Sequence, residues 1–232
     1  VPRRSKKQEA KWWLAASFEA VYNIAYPDPD VHPLWSHRKD RLLGCAVLRR
    51  FEAELSRKQL VCLDLAERYA DDAVSRRELD KADVARLSAK SHARTPEHIA
   101  FLFQQVTREY VPNMLHTLSG FAHTRACAAS GSYHGPAYAA NYAPEDAANA
   151  DAVRELMSNP FRAVKFLPAW RTSDAVALAR SMYESRNFGA MPILADALQD
   201  AGCDNEDVLN HCRDASAKHV RGCWVVDGVL GL

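Results

Sequence analysis

A chain of 232 residues with 48% hydrophobic and 25% charged residues can bury a core, which excludes general disorder. Lys+Arg at 30 against Asp+Glu at 29 leave a net charge of +1, so no global field steers polyanions and any nucleic-acid surface has to be local. No apolar run approaches the ~18 residues that a membrane-crossing helix needs, and no small-residue cleavage site follows Trp12-Trp13-Leu14; the expectation is a cytoplasmic chain with no membrane contact.

In chain order, Glu9 to Ile24 places Trp12, Trp13, Ala16, Ala20, Val21 and Ile24 at helical spacing. Pro27 and Pro29 break that helix, because each biases its predecessor away from the helical region. A second helix is expected from about Lys39 to Arg57, with Leu42, Leu43, Ala46, Val47, Phe51 and Leu55 inward, and a third from Gln59 to Val74. Ser75 followed by Glu78 is a capping-box pattern that opens a fourth helix to about Lys90. Thr95-Pro96-Glu97 opens a fifth to about Tyr110, and after Pro112 a further helical stretch runs to about Ser130.

The segment from Ser130 to Pro144 is rich in Gly, Pro, Ser and Tyr and is expected to be a long surface loop or boundary. Beyond it, Pro144-Glu-Asp starts a helix to about Met157, and Asn159-Pro-Phe-Arg162 ends it. Ser173-Asp174 caps a helix to about Arg186, and Pro192 opens another that Gly202 stops as a C-terminal glycine cap. Asp204 to Asp207 caps Val208–Arg213, and an apolar stretch from Val220 to Leu230 closes the chain. No period-two alternation is long enough for a sheet. The expected fold is all-α, an irregular multi-helix bundle of two helical subdomains: 1–130, a link over 131–150, and a Cys/His-containing 151–232.

The endings Pro192-Ile-Leu-Ala-Asp-Ala-Leu-Gln-Asp-Ala-Gly-Cys203, Asn210-His-Cys-Arg213 and His219-Val-Arg-Gly-Cys-Trp-Val-Val-Asp227 resemble those of a bacterial family of helical proteins without an assigned activity. Asn159-Pro-Phe-Arg162 and Leu65-Ala-Glu-Arg-Tyr-Ala-Asp71 fit the same resemblance. It implies architecture and no chemistry. The chain departs from that family where Asp214-Ala-Ser-Ala-Lys218 replaces a Gly/Pro-rich link ahead of the histidine.

Cys203, His211, Cys212, His219 and Cys223 are the candidate metal ligands, because zinc takes four thiolate or imidazole donors and His219 and Cys223 are four residues apart. No Cys-x-x-Cys knuckle accompanies them, and His211 and Cys212 are neighbours about 100° apart on a helix. The leading expectation is no cofactor, with the cysteines packed in the core and the histidines hydrogen-bonded; a structural zinc is the alternative. Six scattered cysteines are too sparse for a disulfide scaffold and suit a reducing compartment.

Arg213 and His219 have the Arg-x₅-His spacing of the helical ribonuclease fold called HEPN, in which the histidine would move a proton and the arginine would steady phosphate charge. Arg86 and His92 repeat the spacing, which shows how cheaply it arises. Arg3, Arg4, Lys6 and Lys7 at one end, and Arg38, Lys39, Arg49 and Arg50 on the second helix, are candidate phosphate contacts. The adjacent Trp12 and Trp13 cannot both enter one core easily and are the candidate partner-binding pair. With no convergent catalytic set in the text, the leading expectation is a non-catalytic helical protein-interaction or regulatory module, a subunit of a larger complex. Nucleic-acid binding, with or without RNA cleavage, is the alternative.

Overall fold

A computed structural model of the chain describes residues 6–25, 36–81, 96–108 and 114–232. The described residues form twelve α-helices and no strand, so the fold is all-α. None of these helices is long and apolar enough to cross a membrane. The chain divides into two compact units, Val1–Val153 and Arg154–Leu232.

The first unit holds α1 (Lys6–Leu14), α2 (Phe18–Ala25), α3 (His37–Arg49), α4 (Arg57–Ala70), α5 (Arg76–Lys81), α6 (Glu97–Thr107), α7 (Met114–Ser130) and most of α8 (Pro136–Leu156). Its centre is α3, buried without a break from Arg41 to Leu48, the pattern of a helix covered on every side. α4, α6 and α7 all pack on it. Gly44 sets the approach of α6, since a Cβ there would run into the Val106 side chain.

The capping box expected at Ser75 is formed. Ser75 Oγ accepts from the Glu78 amide at 3.3 Å and the Glu78 carboxylate accepts from the Ser75 amide at 2.8 Å, which starts α5. The expected continuation of that helix towards Lys90 lies outside the described residues. Ser56 and Gln59 make a second capping box ahead of α4, one the sequence reading missed.

The segment expected to be a link over 131–150 is mostly helical. Gly131 and Gly135 take positive φ and confine the turn to the residues between α7 and α8. Pro136 then occupies the first helical position, where its missing N–H costs nothing, and the alanine-rich text after it favours helix. Pro144 sits inside α8 on an exposed face, a defect of about 3 kcal/mol, while Asp146, Asn149, Ala150 and Val153 are buried on the opposite side.

In the second unit, α9 (Ser173–Ser185), α10 (Met191–Asp200), α11 (Glu206–Arg213) and α12 (Trp224–Leu230) enclose a core that includes Trp170, Met182, Leu194, Leu198, Val208 and Val226. Thr172 and Asn205 cap α9 and α11 through their side chains. Gly202, at φ +85°, ends α10, with the Cys203 amide reaching back to Leu198 O at 2.9 Å and its own amide to Gln199 O at 2.9 Å, a Schellman ending.

The arginines of α3 are internal struts. Arg49 binds the almost fully buried Glu67 at 3.0 Å, with Glu52 at 2.8 Å and Asp64 as further partners. Burial pulls the guanidinium pKa down, but the hydrogen bonds and charge of Glu67, then Glu52 and Asp64, hold it above the ordinary value. Removing the cation would take from the buried Glu67 carboxylate the guanidinium that neutralises it. Arg49→Ala is therefore expected to cost about 3 kcal/mol in a urea-denaturation measurement, whereas Glu52→Ala, which removes an exposed partner, should stay within about 1 kcal/mol.

Candidate metal centre

Four side chains of the second unit converge. Glu155 projects from the last turn of α8, His211 from α11, His219 from the loop that follows, and Cys223 caps the start of α12. One donor atom from each lies within 4.8 Å of all the others. His211 Nε2 is 3.2 Å from Cys223 Sγ and 3.4 Å from Glu155 Oε2, and His219 Nδ1 is 3.1 Å from Glu155 Oε1. The side chains of Glu155 and His219 are 7% and 6% exposed, that of His211 is 16%, and Cys223 is fully buried.

These spacings have a meaning beyond proximity. Ligands at about 2.0 Å for nitrogen and oxygen and about 2.3 Å for sulfur, placed at the corners of a tetrahedron, are separated by about 3.4 Å. Three contacts of 3.1 to 3.4 Å come close to such edges, and the four donors together lie within 4.8 Å, so an ion would draw the set inward. A carboxylate and a thiolate together carry two negative charges, which a divalent cation cancels, so the filled site would be neutral in a buried place where net charge is costly. Two imidazoles, one thiolate and one carboxylate are donors that zinc accepts.

The surroundings order the donors. The Val220 amide points at Glu155 Oε1 at 3.4 Å. Trp224 Nε1–H points at His211 Nδ1 at 3.3 Å, so a neutral His211 accepting that bond carries its proton on Nε2, facing the thiol and the carboxylate. Burial, and then His219, lower the His211 pKa against the pull of Glu155. The Cys223 thiol is pushed well up, first by burial and then by Glu155. A cavity of about 510 Å³ borders the cluster, with His219, Cys212, Phe188 and Met191 among its lining residues.

Of the five ligands proposed from the text, His211, His219 and Cys223 meet. Cys203 and Cys212 lie in the apolar core of the unit, outside this group. Cys212 follows His211 on α11 and so faces another way; its thiol is pushed up to about 12 by burial. Glu155 takes the fourth corner, and no spacing pattern announced it, 56 residues ahead of His211 in the chain. Its one trace was a carboxylate set among Val153, Leu156 and Met157, all of them buried.

The other candidates fall elsewhere. Arg213 donates to Asp196 at 2.9 Å and Gln199 at 2.6 Å, while His219 is held by Glu155. Arg38 pairs with Asp71 at 2.8 Å, and Arg50 with Glu145 and, at 3.0 Å, with Asn149. Lys39 lies in the first turn of α3, half-buried, and Lys6 and Lys7 are exposed at the start of α1. Arg3 and Arg4, like Arg86 and His92, are outside the described residues. Trp12 is buried and Trp13 is 49% exposed, the split that adjacent positions imposed.

No protein-family model, curated protein or solved structure matches the chain.

The lowered His211 pKa fixes a pH dependence for the metal-free protein. Above about 6.5 the ring is neutral in both folded and unfolded chains and contributes nothing. Below that value the unfolded chain takes up a proton that the folded chain refuses, so stability falls with falling pH by up to about 1.4 kcal/mol per unit from this one site. Urea midpoints of chelator-treated protein should drop through this window in the wild type more steeply than in His211→Gln.

Proposed function

We propose that the second unit is a zinc-stabilised helical module and that the protein works by binding another protein, not by turnover. The observation that carries this reading is the convergence of Glu155, His211, His219 and Cys223, whose donor atoms lie within 4.8 Å of one another. Four protein donors close the coordination sphere, and a catalytic zinc keeps a position open for water or substrate. The neighbouring Cys212 thiol, pushed up to about 12 by burial, is no nucleophile at neutral pH. Glu155 reaches back from α8 to donors on α11, the 214–222 loop and the start of α12, so one ion would tie the ends of the unit together. The exposed Trp13 and Leu14 at the end of α1 support the binding half of the proposal.

Metal analysis of protein purified without chelator should give one zinc per chain, and none in Cys223→Ser or in the Glu155→Gln, His219→Ala double variant. A ligand present at a thousandfold excess over its dissociation constant stabilises by about 4 kcal/mol, so chelation should lower the thermal midpoint of the wild type and leave Cys223→Ser unmoved. Cobalt substitution should give a four-coordinate spectrum with a thiolate charge-transfer band that added azide leaves unchanged. An azide-dependent change would reveal an open position and overturn the non-catalytic reading.

The indole contact adds a sharper consequence. A ring that binds metal through Nε2 carries its proton on Nδ1, and that N–H would then face the Trp224 N–H. Two donors cannot share the contact, so zinc uptake has to move the indole or the ring. Trp224→Phe removes the conflict and is expected to bind zinc several-fold more tightly in a competitive chelator titration, and to lose the zinc-dependent change in tryptophan fluorescence.

A further inference from the structure

The first unit carries a second sulfur–imidazole arrangement, independent of the metal centre. His123 and Cys127 are four residues apart on α7 and therefore share a face. Cys127 Sγ lies 3.6 Å from His123 Nε2, and His123 Nδ1 lies 2.9 Å from the Tyr138 hydroxyl. Tyr138 comes from the first turn of α8, delivered by the turn at 131–135. There Ser130 Oγ donates to Ala126 O at 2.7 Å and to Ser132 O at 2.9 Å, and Ser132 Oγ donates to His134 O at 2.8 Å. Tyr142 stacks on Tyr138, with ring centroids 5.6 Å apart, and steadies it.

The three groups stand in the order that activates a thiol: nucleophile, base, and a third group that orients the base. When His123 Nδ1–H donates to the phenol oxygen, Nε2 is left with its lone pair towards the thiol. Desolvation, and after it the neighbouring Cys127, raise the Tyr138 pKa, so the phenol is a neutral oxygen acceptor at physiological pH. Exposure separates this cysteine from the rest. Cys127 is half-buried, whereas Cys45, Cys62, Cys203, Cys212 and Cys223 are buried. His123 itself is exposed, so a small reagent meets the pair from solvent.

We propose that Cys127 is a thiol–disulfide exchange site for low-molecular-weight disulfides, with His123 as its base and Tyr138 as the positioning residue. Cys127 gives its proton to His123 Nε2, and the thiolate attacks one sulfur of the disulfide. The new S–S bond forms as the old one breaks, and the departing thiolate takes the proton back from His123. One disulfide enters, one thiol leaves, and no outside electron is needed. The product is a mixed disulfide on an exposed helix surface, reversible by the same chemistry.

The test is the full-length protein with oxidised glutathione, followed by intact mass and peptide mapping. One adduct is expected, on Cys127, and none in Cys127→Ser. His123→Ala, a change at an exposed position, should slow modification at least about tenfold, and free imidazole added to that variant should restore much of the rate while leaving the wild type unchanged. Tyr138→Phe should slow it about threefold, an effect that imidazole also offsets. The proposal is overturned by labelling at another cysteine, by a His123→Ala rate equal to wild type, or by a His123→Ala rate that imidazole does not raise.

Discussion

A carboxylate held away from water is the constraint around which the second unit is arranged. Glu155 is 6% exposed, and an ionised carboxyl group there is tolerable only with donors or a cation beside it. The chain supplies His219 at 3.1 Å, His211 at 3.4 Å and the Val220 amide at 3.4 Å. His211 belongs to α11, and His219 and Val220 are consecutive in the loop after it, so meeting the demand of one oxygen pair fixes the path of α11 and of that loop. The apolar core beneath needs only rough volume and pattern; the polar cluster needs specific positions.

Most of the fold was legible because helices announce themselves through local text. The 3.6-residue period found α3 and α4, although it carried α3 on to Arg57, past its end at Arg49; Ser75 with Glu78 started α5, and Gly202 stopped α10, since each signal acts within a few residues of its cause. The segment at 131–150 was misread for an equally local reason. Two glycines, two prolines and several tyrosines carry the composition of a loop, but Gly131 and Gly135 form the turn and Pro136 begins a helix that tolerates Pro144 on its exposed face. Composition averages over positions, and what each proline does depends on its place in the helix.

The candidate metal centre divides along the same line. His211, His219 and Cys223 lie within 13 residues of one another and could be suspected together, although spacing offered Cys203 and Cys212 just as readily. Helix geometry was able to separate His211 from Cys212 and did not say which of the two faced the site. Glu155 could not be paired with them at all, because its approach is a product of tertiary packing. Nor could the basic stripe of α3 be read correctly without that packing: Arg38, Arg49 and Arg50 look like a phosphate surface until Asp71, Glu67 and Glu145 are seen to hold them.

The two sulfur–imidazole pairs show how setting and not composition decides chemistry. His211 with Cys223 and His123 with Cys127 have similar contacts, 3.2 and 3.6 Å. The first pair is enclosed, its thiol is driven up by burial and by a nearby carboxylate, and a proton leaves that sulfur only if something positive takes its place. That is the demand of a metal ligand. The second pair lies at the surface with a phenol behind the imidazole, so a reagent can reach the sulfur from water. That is the arrangement of a nucleophile. The proposed cation in one place and the proposed disulfide exchange in the other both rest on that difference of setting.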